Sequence, residues 1–243
     1  MKSPWKLIGS LEASNMLLVV DHASNHVPGE IDLGIDASLL QDHIAWDIGT
    51  AAIAEKLVDQ HGHAAFLAQF SRLVVDLNRY PNEDGVMPSV SDGIEIPANI
   101  SPSERARRQR LERFFHPYHD KLSSLIEERQ PQFILSIHSF SPRLRSAPDA
   151  ERPWDVGIMY NGDDRGARFA LEYLNTLPIV VGDQQPYSGK DLNATMNRHA
   201  ETRGIAYSMM EIRQDLLADD AGITRWASII QAMLVHVRSR LQD

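Results

Sequence analysis

The sequence predicts an α/β fold with a mostly parallel central sheet, and three observations carry that expectation. Short apolar runs alternate with longer stretches of helical periodicity, the pattern of βαβ units. Three of those runs end on a polar, chemically capable residue: Met16 to Val20 leads to His22, Phe133 to Ile137 to His138, and Ala206 to Met210 to Glu211. In open α/β sheets ligands bind at the carboxyl ends of strands, so residues far apart in sequence can converge there. The chain has 243 residues, 43% of them hydrophobic, enough to bury a full core in a single domain spanning 1–243.

Taken in order, the first strand is 16–20, and a short helix is expected within 34–41. Residues 44–60 read as an amphipathic helix, with Ile48, Ala51, Ala52, Ile53, Leu57 and Val58 near helical spacing. Strands follow at 64–69 and 73–75. The stretch 81–101 is polar and carries Pro81, Gly85, Pro88, Gly93 and Pro97, a length at which loops tend to serve as lids. Ser101-Pro102-Ser103-Glu104 opens a helix, proline suiting its first turn and Glu104 its positive end. That helix continues through Leu111, Phe114, Phe115, Tyr118, Leu122 and Leu125, with a break expected at Pro117. A strand at 133–137 precedes a second polar loop, 141–153. The rest reads as strand 156–160, helix 165–175, strand 179–181, helix 191–202, strand 206–210 and helix 223–241. No repeat or low-complexity tract interrupts the pattern.

The formal net charge of −9 favours solubility and argues against a nucleic-acid partner, which calls for a basic surface. The arginines between Arg105 and Arg113 are interleaved with Glu112 and preceded by Glu104, as on a solvated helix face. There is no cysteine, so disulfides and thiolate ligands are excluded. No segment approaches 18 uninterrupted apolar residues, and the first residues lack an apolar leader. Neither secretion nor a membrane partner is expected, and a cytoplasmic location is.

His22 and His138 are the leading candidates for metal ligands, since a neutral imidazole at a strand end can bind zinc. The competing readings are a loop histidine at a turn and a satisfied core histidine; His26 and Asn25 also lie close to His22. Catalytic zinc commonly takes three protein ligands, and without cysteine the third is a carboxylate. Asp47 is one choice, with Asp21 and Asp76 as alternatives. Glu211 suits a general base, against the plainer reading of an ion pair with Arg213. Arg72 and Arg79 bracket the strand expected at 73–75, and Arg79 with Asn78 suits an anionic substrate group. Tyr187 and His199 are further candidates to meet substrate. His116 and His119, three apart on a helix, are read as packing residues. Gly-x-Gly-x-x-Gly, Walker, Gly-x-Ser-x-Gly and His-Glu-x-x-His patterns are absent, which removes dinucleotide, phosphate-loop, serine-hydrolase and zincin readings.

The ordered set Asp21-His22-Ala23-Ser24 with Val27-Pro28, Trp46-Asp47-Ile48-Gly49, Ser71 to Arg79, Pro117-Tyr118-His119, His138-Ser139-Phe140, Pro186-Tyr187-Ser188-Gly189, Arg198-His199 and Glu211 to Leu216 resembles the N-formylglutamate amidohydrolase family. The resemblance implies a three-layer α/β/α sandwich like that of zinc carboxypeptidases, of the phosphorylase/hydrolase-like type. It implies zinc-assisted hydrolysis of the amide C–N bond of N-formyl-L-glutamate or a related N-acyl amino acid. On that analogy His22 and His138 hold Zn2+, Glu211 is the base and Arg72 stabilises the oxyanion, while Asn78 and Arg79 grip a substrate carboxylate. Zinc carboxypeptidases carry a glutamate three residues after the first histidine, where this chain has Asn25, so the carboxylate ligand comes from elsewhere, Asp47 being one source. A Ser-Gly type turn more often follows the first histidine in the family than Ala-Ser-Asn-His does. A second cation for a glutamate side chain is sought among Arg143, Arg145 and Arg198. The alternative functions are a metal-dependent, carboxypeptidase-like peptidase and a metal-free binding protein of the same fold.

Overall fold

Every residue of the two strands at 16–20 and 133–140 is buried, because both faces of the sheet are covered, and this arranges everything around them. The structure, a computed structural model, describes residues 3–242. The chain begins with β1 (Trp5–Ile8) and the single-turn α1 (Leu11–Ser14), then enters β2 (Met16–Val20). A 3-10 turn at Ala37–Gln41 precedes α2 (Thr50–His61) and β3 (Ala64–Ala68). A small hairpin, β4 (Val90–Ser91) and β5 (Ile94–Glu95), lies within the long polar stretch. α3 (Glu104–Arg110) passes through a π-helical turn into α4 (His116–Arg129). There follow β6 (Phe133–Phe140), β7 (Val156–Met159), α5 (Arg165–Leu174), β8 (Val181–Asp183), α6 (Ala194–His199), β9 (Ala206–Arg213) and α7 (Asp220–Gln242).

Among the described residues the central sheet has seven strands in the order β1-β3-β2-β6-β9-β7-β8. β3, β2, β6 and β9 run parallel, while β1 and the β7–β8 pair run against them. Side chains alternate between two cores, as a strand's period of two requires. Leu18, Val20, Leu135 and Ile137 pack with Ile53 and Leu57 of α2, Ala170 of α5 and Trp226 and Ile230 of α7. Leu17, Val19, Ile134 and Tyr207 pack with Tyr118, Leu122 and Ile126 of α4 and Met196 of α6. Each such side chain stabilises the fold by about 1.5–3 kcal/mol on burial. The result is the expected three-layer α/β/α sandwich with a mostly parallel sheet. No helix among the described residues is long and apolar enough to cross a membrane.

Four local expectations give way to tertiary hydrogen bonds or packing. The helix expected from residue 44 starts only at Thr50. Upstream, the Asp47 N–H donates to the His22 carbonyl (3.0 Å), and the Ala45 carbonyl accepts from the Arg72 N–H (3.2 Å) and the Ser71 hydroxyl (2.7 Å). Ile44 and Ala45 are buried with Leu33, Leu73 and Ile96 in a third apolar cluster instead of on a helix face. The strand expected at 73–75 is a buried turn: Val74 N–H closes on the Ser71 carbonyl (2.9 Å) and Asp76 N–H donates to Val86 (2.8 Å). Pro117 does not break its helix. It occupies the first turn of α4, and the i→i+5 turn over Leu111–Phe115 precedes it where the ladder would otherwise need its missing N–H. The strand expected at 179–181 starts at Val181, since Val180 is bound on both backbone groups by Asp155.

Finally, β6 and β9 extend past Ile137 and Met210, so His138 and Glu211 lie two residues inside their strands rather than beyond them. The two are cross-strand neighbours in register, and β2 pairs with β6 only as far as Val19 opposite Ser136. Asp21 and His22 therefore leave the sheet beside the still-paired His138 and Glu211. The helix at 194–199 is also shorter than the 191–202 expected.

Gly49 holds the segment that carries Asp47 to its helix. Its φ is +86°, and a Cβ there would stand 2.6 Å from Cβ of Leu217. Gly49→Ala should lower unfolding stability by about 1–3 kcal/mol. Denaturant unfolding measures this, and an unchanged midpoint would count against the argument.

Candidate metal centre and cavity

The carboxyl edge of the parallel strands gathers two imidazoles and a carboxylate into contact. His138 Nδ1 lies 2.8 Å from Asp47 Oδ2, His22 Nδ1 lies 3.3 Å from the same oxygen, and the two Nδ1 atoms are 3.2 Å apart. Bonds of 2.0–2.1 Å to one tetrahedral ion would set its ligand atoms about 3.3 Å apart. The other ring nitrogens are turned away and engaged. His22 Nε2 donates to Asp76 Oδ1 at 2.8 Å, and His138 Nε2 is hydrogen-bonded to Ser136 Oγ at 3.1 Å. With its proton on Nε2, each ring aims an Nδ1 lone pair at a common point beside Asp47 Oδ2, the arrangement in which an outer partner fixes the tautomer of a metal-binding histidine. The set His22, Asp47 and His138 can therefore hold a metal ion.

Of the three carboxylates left open by the sequence, Asp47 alone meets both Nδ1 atoms. Asp76 sits behind His22. Asp21 sits behind His138, its Oδ2 3.9 Å from Nε2, with its other oxygen accepting from the Tyr118 hydroxyl at 2.8 Å.

Arg72 joins the carboxylates. Its Nη1 donates to Asp47 Oδ1 (3.0 Å), while Nε and Nη2 donate to Asp76 Oδ2 (3.2 and 3.0 Å). Three of the five guanidinium N–H groups are thereby used and two are left. Burial would raise the pKa of Asp47 and of Asp76, but the neighbouring His22 and Arg72 outweigh it and hold both ionised. Burial and Arg72 also oppose a charge on His22, yet Asp76 and Asp47 prevail and push its pKa up to about 9. Glu211 moves the other way for a carboxylate: burial, aided by Asp47, pushes it up to about 7 against the pull of His138, Arg72 and His22. Glu211 Oε2 is buried and has no hydrogen-bond partner.

These groups face a cavity of about 400 Å³. Its floor is almost sealed, with His22 1%, His138 2%, Asp47 3% and Glu211 7% exposed. Asn78, Arg79 and Tyr187 also line it. Arg79 bonds the Asn78 carbonyl (2.9 Å) and pairs with no carboxylate among the described residues. The Asn78 amide nitrogen meets only a weak acceptor, Sδ of Met209 at 3.7 Å, while its oxygen accepts from the Thr195 N–H. The long polar stretch forms one wall through Gly85, Pro88 and Asp92; the loop after β6 forms another through Leu144 and Ser146. Asp92 ties the two, accepting from the Ser146 hydroxyl (2.7 Å) and from the N–H groups of Arg145 and Ser146 (2.9 Å each).

One expected site residue lies elsewhere. His199 is not in the cavity lining; its ring stacks on His119, with Nε2 2.9 Å from His119 Nδ1. α6 turns it inward against α4, and burial with Arg198 and Arg203 nearby lowers its pKa to about 3. The ring is packed between α6 and α4 and outside the cavity lining. His119 Nε2 in turn donates to the Leu77 carbonyl, and His119 is buried while His116 is exposed. The cations sought for a second carboxylate are also placed away from that task. Arg145 is paired with Asp42 and Asp92, Arg198 lies over the Phe115 ring, and Arg143 is exposed and outside the lining. Sequence reasoning passed over Asp92, which sits in a polar loop with no periodicity to distinguish it.

Residues 14–218 match the family model described as N-formylglutamate amidohydrolase. Among solved structures, a gene product of Agrobacterium tumefaciens is 30% identical and superposes with a TM-score of 0.93, over 100% of this chain and 97% of that one. An N-formylglutamate amidohydrolase from Ralstonia eutropha, 16% identical, superposes with a TM-score of 0.72 over 99% of each chain. No curated protein matches the chain at a significant level.

A metal ion at Nδ1 must displace the proton that Asp76 and Asp47 stabilise on His22. With that pKa at about 9, divalent-metal affinity should rise about tenfold per pH unit from pH 7 to pH 9 and level off above it. Calorimetric titration at several pH values, in buffers of different ionisation enthalpy, would show one proton released; a flat affinity would refute it.

Proposed function

The chain belongs to the N-formylglutamate amidohydrolase family, and from that premise we propose that it hydrolyses the amide bond of an N-formyl or related N-acyl amino acid with zinc held by His22, Asp47 and His138. The observation that carries the reading is the meeting of both Nδ1 atoms with one Asp47 oxygen, beside a Glu211 oxygen that has no other partner. Two imidazoles and a carboxylate make a donor set that suits zinc and leaves a position open for reactants. When bound, zinc supplies a Lewis acid that lowers the pKa of water towards neutrality.

The chain's own residues supply the remaining steps. Glu211, ionised near neutral pH, takes a proton from the attacking water on Oε2 and returns it to the departing amine nitrogen. The two N–H groups of Arg72 not spent on Asp47 and Asp76 donate to the carbonyl oxygen as it gains charge. A donor aimed at that oxygen typically contributes on the order of 10²–10³ in rate. Arg72 thus has two tasks, holding the ligand carboxylate and meeting the oxyanion. Arg79, which makes no ion pair with a carboxylate among the described residues, grips the α-carboxylate of the substrate together with the Asn78 amide. Tyr187 lines the same cavity and offers its hydroxyl. The small cavity and its nearly sealed floor favour a compact acyl group over a peptide.

Glu211→Gln should keep its zinc, since Glu211 is not one of the three ligands, and lower kcat by about 10²–10⁴-fold. Full turnover by a zinc-loaded variant would exclude the base assignment. Arg79→Met should raise KM for N-formyl amino acids at least about tenfold with little change in kcat, the mark of lost uniform binding; a kcat loss at constant KM would place Arg79 in another role. A panel of N-formyl, N-acetyl and dipeptide substrates, with chelator and with zinc restored, tests the whole reading. Chelation should abolish turnover and zinc should restore it, with N-formyl compounds turned over fastest.

A further inference from the structure

Two buried imidazoles stand in line and end on the backbone that carries Asn78 and Arg79. His119 of α4 and His199 of α6 are 2% and 1% exposed, and the rings of Phe115 and Tyr118 flank His119 with centroids 4.3 and 5.3 Å away. The bonding partners fix the protons. A carbonyl only accepts, so the Leu77 oxygen, 3.1 Å from His119 Nε2, requires a proton on that nitrogen. Burial, with His199 and Arg198 nearby, holds the His119 pKa well below its usual value, so the ring is neutral and its Nδ1 accepts. His199 Nε2, 2.9 Å away, is then the donor. His199 Nδ1 is left as a buried lone pair with no partner among the described residues. Every proton in the line points the same way, from His199 through His119 to Leu77.

The peptide at the end of that line joins Leu77 to Asn78. Its oxygen also accepts from the Thr195 hydroxyl at 3.2 Å, and its N–H donates to Asp76 Oδ1 at 2.9 Å. The next groups along the chain are Asn78, whose Oδ1 accepts from the Thr195 N–H at 3.1 Å, and Arg79, and both line the cavity. An apolar pair would fill the space of the two imidazoles without an orphaned acceptor, which costs roughly 1–3 kcal/mol. Packing gives no reason for that loss, whereas a buried polar line that fixes one backbone orientation does. Resting on the reading above, that Asn78 and Arg79 grip the substrate α-carboxylate, we propose that His119, held in one tautomer by His199, is a positioning residue that orients the Leu77–Asn78 peptide and through it that grip. Neither imidazole lines the cavity, so both act through the backbone. Asp76 has His22 and Arg72 as further partners, so the metal side of the cavity is held separately.

Two amides of different reach separate positioning from packing. His119→Gln can place an N–H where Nε2 stands and still donate to Leu77; the amide of His119→Asn reaches only as far as Nδ1. With zinc supplied and an N-formyl amino acid as substrate, His119→Asn should raise KM about tenfold with kcat changed by less than about threefold, and His119→Gln should return KM to within about threefold of wild type. His119→Phe, which keeps a ring beside Phe115 and Tyr118 but no donor, takes the place of the asparagine variant if that one fails to fold. Where Arg79→Met by itself raises KM, adding His119→Asn should raise it no more than about threefold further, because the two act through one grip. The inference is overturned if glutamine serves no better than asparagine, if kcat falls while KM stays, or if the full effect persists on top of a damaging Arg79→Met. An Arg79→Met variant with unchanged KM removes Arg79 from the proposed grip, and the asparagine–glutamine contrast then decides whether the line acts through Asn78. Imidazole nitrogen NMR spectra need no substrate: both rings should be in the Nε2–H form, and an Nδ1–H form of either overturns the inference whatever the reaction. If no N-acyl compound is turned over, the proposed reaction falls. The same variants are then compared by calorimetric affinity for L-glutamate, where no difference between asparagine and glutamine overturns the inference as well.

Discussion

The interaction on which the rest depends is the sharing of one Asp47 oxygen by two almost fully buried histidines. Charges in such a place must balance, because each unpaired one costs several kcal/mol. Asp47 and Asp76 share the Arg72 guanidinium and both lie against His22, whose pKa they push up to about 9, while burial beside Asp47 pushes Glu211 up to about 7. A divalent ion held by His22, Asp47 and His138 would favour the ionised form of Glu211, as its proposed role as base requires.

The backbone around the cluster is shaped by the same requirement. Segment 43–49 gives up a helix that its side-chain spacing favours, because its N–H and carbonyl groups bond His22, Ser71 and Arg72. Segment 71–76 gives up a strand for a turn that brings Arg72 and Asp76 to one side of His22. In both segments a local preference worth tenths of a kcal/mol per residue yields to several buried hydrogen bonds, each worth about 1 kcal/mol. The walls of the cavity are loops tied by Asp92, while its floor is strand and buried turn. Chemistry held on rigid elements and recognition placed on loops is the division expected of a site that must be both accurate and selective.

Much of this was legible in one dimension. Apolar runs ending in His22, His138 and Glu211 announced both the sheet and the edge where the cluster forms, since strands covered on both faces must be apolar until they emerge. The ordered motifs gave the family, and Arg72, Asn78, Arg79 and Tyr187 do line one cavity. What stayed open was anything set by direction rather than by position along the chain. Asp21, Asp47 and Asp76 are alike as residue types; only the placement of their oxygens, behind an imidazole or between two, separates them. His199 has the residue type of a substrate contact, but α6 points it at His119.

The sequence by itself determined the α/β class, the two histidines and the family, because periodicity, strand-end polarity and motif order are properties of local chemistry. The tertiary structure alone decided which carboxylate joins the histidines and how Arg72 is divided between two acids. Those outcomes rest on distances of about 3 Å between residues tens of positions apart, where one rotation of a side chain exchanges a ligand for a bystander.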